Sequence, residues 1–482
     1  MPCVEAAADA VADDDGNRNR FSMTTSPAPP YQPGNVQGLI LRGYTHPHSC
    51  HLMFSFTGRR GAAGFVRALL PYVQSAEAWS DKPERMLNIG LTFNGILTFE
   101  PAFGRQFPPE FEAGPWSEDS QQSLYDTGAS DPARWWNSQD KQAIHCIVHV
   151  YGMTQDALDG LVALVSQAAA NNGLREILPL RPESGQSGRL QQYAPLENFI
   201  HFGYRDGIDN PDLGWPADPS TTDPGDANNF LIGYPGSAFG PGPDVGQAGE
   251  FAKDGCYCAF RVLYQDVGAF DQFLANTAPE VVAAIGGSED HAREWLAAKL
   301  VGRWRNGSPL ALSPDAPDPA TAGATDFRYE PDDRPGLRCP YSAHTRVANP
   351  RDQAVYASDA PVPRLIRRGV PYGAPPAPPN YEGERGLVGL FLCGALAGQF
   401  ELLYGWINTN NFSAVFSPGL NTQDALLANR GAPGIDPSFT IAITKEKKIR
   451  IPKLPQFIVT RGTAYCLLPS LKTLRRVAGL SA

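Results

Sequence analysis

The chain has 482 residues, long enough for two packed domains or one large one, with 42% hydrophobic and 19% charged residues, as in a soluble globular protein. Its formal charge of −10 argues against nucleic acid or an anionic membrane as a partner, because binding phosphates requires a basic surface. No segment approaches the roughly 20 apolar residues of a membrane span.

The first 35 residues are polar and acidic, with Asp13, Asp14 and Asp15 in succession, and are predicted to form a disordered tail. They contain no apolar segment typical of a signal peptide, and Arg18 and Arg20 are not the adjacent pair of a twin-arginine signal. The sequence therefore predicts a cytoplasmic protein and leaves non-standard export open.

The eight cysteines are scattered along the chain and form no C-x-x-C pair. Cys256 and Cys258 share one face of a predicted strand. Free thiols behave as small apolar side chains, so buried free cysteines are predicted, although an even number also permits disulfides.

The first half mixes strands and helices. A helix at Phe65–Val73 should kink or split at Pro71, and Thr154 is expected to cap a later helix. His145 and His149 lie on one face of a strand; no third ligand accompanies them, so polar roles are favoured over a metal site. Alternating apolar residues predict strands at 51–56, 87–93 and 142–151.

The second half repeats this mixture after a loop rich in Gly, Pro and Asp at 208–250. Neither half shows regular βαβ alternation, so a duplicated α+β unit is favoured over a parallel sheet. The predicted elements are a strand at 256–264, helices at 267–276 and 294–301, strands at 391–393 and 463–467, and a terminal helix from Pro469.

Three segments carry residues suited to redox chemistry. His344 lies in CPYSAHTRVANPR, and histidine serves as an axial haem ligand, a base or a structural residue. Asp206 lies in the G-x-x-D-G segment that begins at Gly203, where an aspartate suits either a turn or acid–base chemistry. Arg367 opens RRGVPYG as a fixed cation that either faces an oxidant or lies on the surface.

Together and in this order, the three segments resemble the signature of the dye-decolourising peroxidases. Further similarity lies in LNIGLTFNG from Leu87, AAKLVGRW from Ala297 and RGTAYCLLPSL from Arg461, so that the resemblance extends from Val36 to Ala478. It implies an α+β fold of two ferredoxin-like domains with antiparallel sheets, related to the dimeric α+β barrel. It also implies haem b, iron protoporphyrin IX, held between the sheet and the helices of the second domain.

On this resemblance the chain divides into four parts. They are a disordered tail at 1–35, an N-terminal ferredoxin-like domain at 36–207 that ends in the G-x-x-D-G segment, a connecting loop at 208–250, and a C-terminal haem-binding domain at 251–482.

The resemblance assigns three central roles. His344 is the implied axial ligand of the iron, and Asp206 is the implied acid–base group that moves a proton between the two oxygens of hydrogen peroxide. Arg367 is implied to keep that carboxylate ionised and to stabilise the charge on the leaving oxygen.

Four further residues are expected around the cofactor. Arg346 suits a haem propionate, because arginine binds carboxylates with two parallel hydrogen bonds, or alternatively a surface ion pair. Gly389 and Phe391 are expected to line the distal pocket, with ordinary strand packing as the alternative. Glu401 is the nearest acid after the FLC strand, and we expect it to accept the second N–H of the ligand histidine.

The predicted function is a haem peroxidase that reduces hydrogen peroxide and oxidises small aromatic donors such as dyes and phenols in one-electron steps. The alternative is a haem-binding or iron-release protein of the same fold with little turnover. Large donors would be oxidised at a surface aromatic residue, for which the candidates are Trp304, Tyr404 and Trp406. The alternative for all three, and the more common role of aromatic residues, is packing in the core. The sequence leaves monomer and homo-oligomer open.

Overall fold

A computed structural model describes most of the chain. The predicted tail up to residue 28, Cys3 and parts of the predicted loop at 208–250 lie outside the described residues. These are 29–136, 140–179, 188–192, 198–218, 223–236, 246–353, 362–409 and 423–481.

Twelve strands are found within the described ranges. They are β1 (His48–Ser55), β2 (Arg85–Leu91), β3 (Cys146–Gly152), β4 (Arg175–Ile177), β5 (Leu190–Gln191), β6 (Cys256–Gln265), β7 (Ile366–Arg367), β8 (Val370–Tyr372), β9 (Gly386–Cys393), β10 (Phe439–Ala442), β11 (Lys448–Ile451) and β12 (Ile458–Leu468).

Ten of these strands form one antiparallel sheet, in the order β4-β1-β3-β2-β12-β6-β9-β7, with β5 beside β1 and β8 beside β9. The first-half strands occupy one end and the second-half strands the other. The two groups meet where Leu91 of β2 pairs with Leu467 of β12. This is the α+β architecture with antiparallel sheets that the resemblance implied; the predicted domain boundaries stay a prediction.

The described helices pack against both groups of strands. They are α1 (Gly38–Leu41), α2 (Arg59–Leu69), α3 (Phe93–Phe99), α4 (Pro109–Ala113), α5 (Glu118–Leu124), α6 (Gln155–Asn171), α7 (Gly246–Ala252), α8 (Val267–Ile285), α9 (Glu289–Val301), α10 (Glu330–Asp333), α11 (His344–Ala348), α12 (Leu402–Thr409) and α13 (Leu471–Val477). None of them is both long and apolar enough to cross a membrane.

Local sequence signals explain several helix ends. Helix α2 stops before Pro71, whose missing N–H cannot continue the helix. Thr154 caps α6 by accepting a hydrogen bond at 3.1 Å from the backbone N–H of Ala157, as its hydroxyl predicts. Helix α9 ends at Gly302, whose φ of 91° lies in the left-handed region that glycine adopts most readily.

Alternation along the second-half strands separates two faces. Cys258 and Phe260 of β6 face a core shared with the first half, where Ile147 and Met53 also lie. Leu263 of β6 faces the opposite side, toward helices α8 and α9. All seven cysteines of the described chain are buried with free thiols, as expected from their apolar surroundings.

The histidines of the first half have no metal-site geometry. His51 and His149 face each other inside the sheet with 3.0 Å between their Nδ1 atoms, and burial lowers the pKa of both imidazoles. His145 instead accepts a hydrogen bond from the backbone N–H of Phe56. Within the described residues, no cluster of three or more histidine, cysteine or acidic side chains is arranged to hold a metal ion.

Candidate active site

A cavity of about 230 Å³ lies between the second-half end of the sheet and helices α9, α11 and α12. One face of the sheet supplies its floor, and the segment after Ile200 closes one side. The predicted residues that line it are Asp206, His344, Arg367, Gly389 and Phe391. Two predicted residues, Arg346 and Glu401, do not line it.

His344 begins helix α11, and a buried carboxylate fixes its ring. Its Nδ1 lies 2.6 Å from Oδ2 of Asp424, a residue whose side chain is 0% exposed. The other oxygen of Asp424 accepts hydrogen bonds at 2.8 Å from the backbone N–H groups of Leu426 and Leu427. Nδ1 is therefore committed to Asp424, and Nε2, which has no hydrogen-bond partner among the described residues, is the nitrogen available to a metal.

The prediction that Glu401 supports the ligand histidine is wrong. Glu401 ends a π-helical turn at Leu396–Glu401 and accepts hydrogen bonds at 2.7 Å from the hydroxyls of Ser120 and Tyr465. Asp424 fills the expected role from a turn that follows residues 410–422, which lie outside the described ranges. The sequence around Asp424, NTQDALL, carries no signal that pairs it with a histidine 80 positions earlier.

The propionate prediction for Arg346 is also wrong. Residues two positions apart on an α-helix are separated by about 200° around its axis, so Arg346 points away from the cavity that His344 faces. Its guanidinium is 0% exposed, pairs with Asp333 at 3.0 Å and lies 4.4 Å from the ring centroids of both Tyr329 and Tyr341. A carboxylate within the protein already occupies it, so it anchors α11 instead of a ligand.

Asp206 is presented by a tight segment of backbone. Gly203 and Gly207 adopt positive φ angles of 81° and 77°, which glycine tolerates without a Cβ clash. Between them, the N–H of Asp206 donates to the carbonyl of Asn198 at 2.7 Å. The two glycines thus turn the chain on either side of Asp206 and leave its side chain at the cavity wall.

Arg367 reaches the same wall from strand β7. Its backbone pairs with Phe391 of β9, and its N–H donates to Oδ1 of Asn210 at 2.9 Å. Its guanidinium donates to the carbonyl of Ile208, just beyond the G-x-x-D-G segment. Arg367 is therefore attached to the segment that carries Asp206.

Asp209 organises this wall, and sequence reasoning missed it. Its carboxylate binds Arg351 at 2.9 Å, Asn349 at 3.0 Å and Arg364 at 3.2 Å. Burial alone would raise the pKa of Asp209, but Arg364, Arg351 and Asn349 hold that pKa below its usual value. Asp209 thereby joins the G-x-x-D-G segment to the residues that follow His344. Its position in RDGIDNP, three residues after Asp206, was the available signal.

Arg303 is a further cation at the cavity. It is 5% exposed, donates to the carbonyl of Gly307 at 2.8 Å, and has no carboxylate partner among the described residues. Burial lowers the pKa of its guanidinium. A buried cation without a counter-charge fits an anionic ligand group.

The three aromatic candidates for surface oxidation are all buried. Trp304 is 2%, Trp406 4% and Tyr404 5% exposed. Trp304 and Tyr404 line the cavity. None of the three is thus the exposed aromatic residue that oxidation at the surface requires.

The chain is similar to several known proteins. No protein-family profile matches the sequence. The dye-decolorizing peroxidase msp1 of Mycetinis scorodonius is 27% identical over 92% of this chain and 87% of its own length. A dye-decolorizing peroxidase of Exidia glandulosa is 30% identical over 57% of this chain and 54% of its own. The solved structure of a fungal DyP-type peroxidase from Auricularia auricula-judae superposes with a TM-score of 0.72 at 23% identity, covering 94% of this chain and 100% of that one.

Over most of its length the chain is similar in sequence and in fold to dye-decolourising peroxidases. These relatives indicate that it is an enzyme of the peroxidase class, and dye-decolourising peroxidases are haem enzymes.

The residues that line the cavity fit a haem. Among the described residues, Nε2 of His344 has no hydrogen-bond partner and the buried Arg303 has no carboxylate in contact. The apolar walls of the cavity include Leu263, Leu387 and Ile458. A flat, largely apolar macrocycle with acidic substituents matches this combination.

Proposed function

We propose that this protein is a haem b peroxidase that reduces hydrogen peroxide and oxidises small aromatic donors in one-electron steps. One observation carries the proposal: an imidazole fixed by a buried carboxylate lines the same cavity as Asp206 and Arg367. A structural relative at 23% identity and a TM-score of 0.68 is a dye-decolorizing peroxidase in complex with 2,6-dimethoxyphenol, which supports a phenolic donor.

His344 would hold the iron through Nε2, and Arg303 would bind a propionate in place of the predicted Arg346. Asp424 accepts the hydrogen bond from Nδ1, which orients the ring and raises the basicity of the ligand nitrogen. Bound haem supplies the iron that takes up peroxide and stores the oxidising equivalents.

Asp206 would take a proton from one oxygen of hydrogen peroxide and deliver it to the other, which leaves as water. This shuttle requires an ionised carboxylate with a free lone pair at the cavity wall. Its backbone is fixed on both sides by glycine turns, so the carboxylate is held in place before peroxide arrives.

Arg367 would stabilise the negative charge that develops on the leaving oxygen. Because its guanidinium also donates to the carbonyl of Ile208, the cation and the proton shuttle are held as one unit. Gly389 and Phe391 would shape the space beside them, since both line the cavity on the same strand.

In this proposal the domain at 251–482 binds the haem, and the final segment of the first domain, at 36–207, supplies Asp206. Asp209, at the start of the connecting loop, binds Arg351 and Arg364, and these contacts support an arrangement in which the end of the first domain reaches over the second.

The decisive experiment adds haem to the purified protein and records the visible spectrum before and after one equivalent of peroxide. We expect a Soret band that is lost in His344→Ala and retained in Asp206→Asn and Arg367→Leu. The last two should slow the reaction with peroxide strongly, since loss of an acid–base group costs about 10²–10⁴-fold. Loss of one electrostatic stabiliser costs about 10²–10³-fold. A matched control is Arg368→Leu, which alters the neighbouring arginine that binds the carbonyl of Leu39 instead.

If His344→Ala retained the wild-type Soret band, the ligand assignment would be wrong. If Asp206→Asn and Arg367→Leu reacted with peroxide as fast as the wild type, the roles assigned to these two residues would be wrong. A wild-type protein that bound haem but reacted with peroxide only negligibly would be a haem carrier.

A further inference from the structure

A carboxylate and a phenol meet in the core next to the cavity without lining it. Tyr465 of β12 donates a hydrogen bond at 2.7 Å to Oε1 of Glu401, and Ser120 of α5 donates to the same oxygen at 2.7 Å. Tyr465 is 2% and Glu401 7% exposed. No substrate reaches either group, and the proposed peroxide chemistry uses neither.

One aromatic ring links this pair to the cavity. The ring of Phe400 lies 6.1 Å from that of Tyr465, between ring centroids. It also lies 5.4 Å from Phe391 and 5.5 Å from Tyr404, both of which line the cavity. An electron leaving Tyr465 therefore has a short path through packed rings to any oxidant held in the cavity.

The hydrogen bond decides where the proton of Tyr465 goes. A neutral phenol gives up an electron readily only when its proton leaves at the same time, because the protonated radical is a strong acid. Glu401 is already in hydrogen-bond contact and can accept that proton without rearrangement. Burial raises the pKa of Glu401, which makes it a better base, while the hydroxyls of Ser120 and Tyr465 oppose the rise.

Tyr404, the tyrosine at the cavity, is less suited to oxidation. The guanidinium of Arg261 lies 4.3 Å from its ring centroid, and a cation at this position opposes removal of an electron. Among the described residues, no carboxylate accepts a hydrogen bond from its hydroxyl. Asp126, the nearby acid, is occupied by Arg261 at 2.5 Å and 2.8 Å.

We propose that Tyr465 and Glu401 form an internal proton-coupled electron donor for the haem, which is reached through Phe400. This proposal rests on the proposed peroxidase function, because peroxide-oxidised haem is the oxidant.

Tyr465 gives one electron to that haem and its phenolic proton to Glu401. The products are a neutral tyrosyl radical, a protonated Glu401 and a haem reduced by one electron. An aromatic donor later returns the electron, and Glu401 returns the proton. When no donor is present, the pair holds one oxidising equivalent away from the cofactor.

The test is electron paramagnetic resonance of haem-loaded protein frozen after one equivalent of peroxide, with no aromatic donor. The wild type should show a tyrosyl signal that narrows when tyrosine rings are deuterated. Tyr465→Phe and Glu401→Gln should lose that signal while the Soret band remains. A tyrosyl signal of wild-type size in Tyr465→Phe would overturn the proposal and leave the peroxidase function standing.

Two matched variants exclude a purely structural explanation. Ser120→Ala removes the other donor to Glu401 but no redox group, and should retain the signal. Tyr151→Phe removes a phenol that is 1% exposed and has no hydroxyl partner among the described residues, and it should also retain the signal. Loss of the signal in either variant would contradict the assignment to Tyr465.

A haem-free measurement separates this proposal from the proposed function. In the apoprotein, Tyr465→Phe removes one hydrogen bond to Glu401, so the infrared carboxylate band should shift and the pKa of Glu401 should rise. An unchanged band would show that the contact is absent and would overturn the proposal, whatever the haem-loaded protein does.

Discussion

The two sides of the cavity are built differently. On the His344 side, one carboxylate contacts one imidazole, and backbone N–H groups fix that carboxylate. On the Asp206 side, Asp206 lies on a loop and Arg367 on a two-residue strand, and Asp209 joins this loop to Arg351 and Arg364 by ion pairs. On the first side, one contact orients the His344 ring, whereas on the second the positions of Asp206 and Arg367 depend on several contacts. Substitutions on the two sides should therefore have different effects.

Among substitutions of the residues that support these groups, the largest effect is expected from Asp424→Ala. Loss of the partner of a ligand histidine typically costs about 10–100-fold in affinity or activity, and here the ring also loses its only described anchor. Haem affinity, measured by titrating apoprotein and following the Soret band, should fall by that factor. The free energy of unfolding of the apoprotein should change by less than the free energy of haem binding. The only contacts that Leu426 and Leu427 lose are the hydrogen bonds from their backbone N–H groups to Asp424.

Asp424→Asn and Glu401→Gln sharpen this test. The amide keeps an oxygen for the backbone N–H groups but removes the charge next to Nδ1, so its haem affinity should lie between wild type and Asp424→Ala. Glu401→Gln should leave haem affinity unchanged, because Glu401 contacts Ser120 and Tyr465 and not His344. Weaker haem binding in Glu401→Gln than in Asp424→Ala would restore the role that the sequence predicted for Glu401.

Asp209→Asn should weaken the Asp206 side of the cavity, because it removes the charge that binds Arg351 and Arg364. Arg351 and Arg364 would lose a charged partner, and hydrogen bonds to charged groups contribute roughly 1.5–3 kcal/mol, so we expect a loss of about 2 kcal/mol in unfolding free energy. The Soret band should remain. The reaction with peroxide should slow, because the segment that carries Asp206 loses its ion pair with Arg364, three residues before Arg367. A variant with wild-type stability and rate would show that Asp209 does not organise this wall.

The sequence predicted three residues that line one cavity in the structure, but it did not predict their partners. His344, Asp206 and Arg367 were recognisable because each lies in a local motif with fixed spacing. Asp424 and Asp333 were not, because their contacts join positions that only the tertiary fold brings together. Arg346 was misassigned because a motif gives the identity of a neighbour but not the direction in which a helix turns it.

The fold divides in the same way. Strands β6 and β12 were predictable from alternation, and the stop of α2 from one proline. The single sheet was not, because the pairing of β12 with β2 joins residues more than 370 positions apart. Secondary structure follows local rules, whereas strand order depends on which buried faces meet.

The stability that Asp209 contributes should depend on pH. The folded-state pKa of Asp209 lies below its usual value, so its ion pairs stabilise the fold fully above about pH 4, the ordinary range of an aspartate. That contribution is lost as the pH falls through the folded-state pKa. Urea unfolding of wild type and Asp209→Asn should therefore differ at pH 7 and converge toward pH 3. A constant difference over this range would contradict the shifted pKa.

The smallest effect is expected from Gly389→Ala, which tests how tightly the floor of the cavity is packed. A methyl group at this position would lie 2.3 Å from Cε2 of Phe391, so the ring must move, and Phe400 limits that movement. Overpacking of this kind costs about 1 kcal/mol, and the displaced ring should shift the Soret band slightly. Gly104→Ala is the matched control, because its φ of −53° suits any residue and no atom lies within 4 Å of the added methyl. If both variants unfolded at the same urea concentration, Phe391 would have space to move. The floor of the cavity would then be able to accept a donor molecule of variable size.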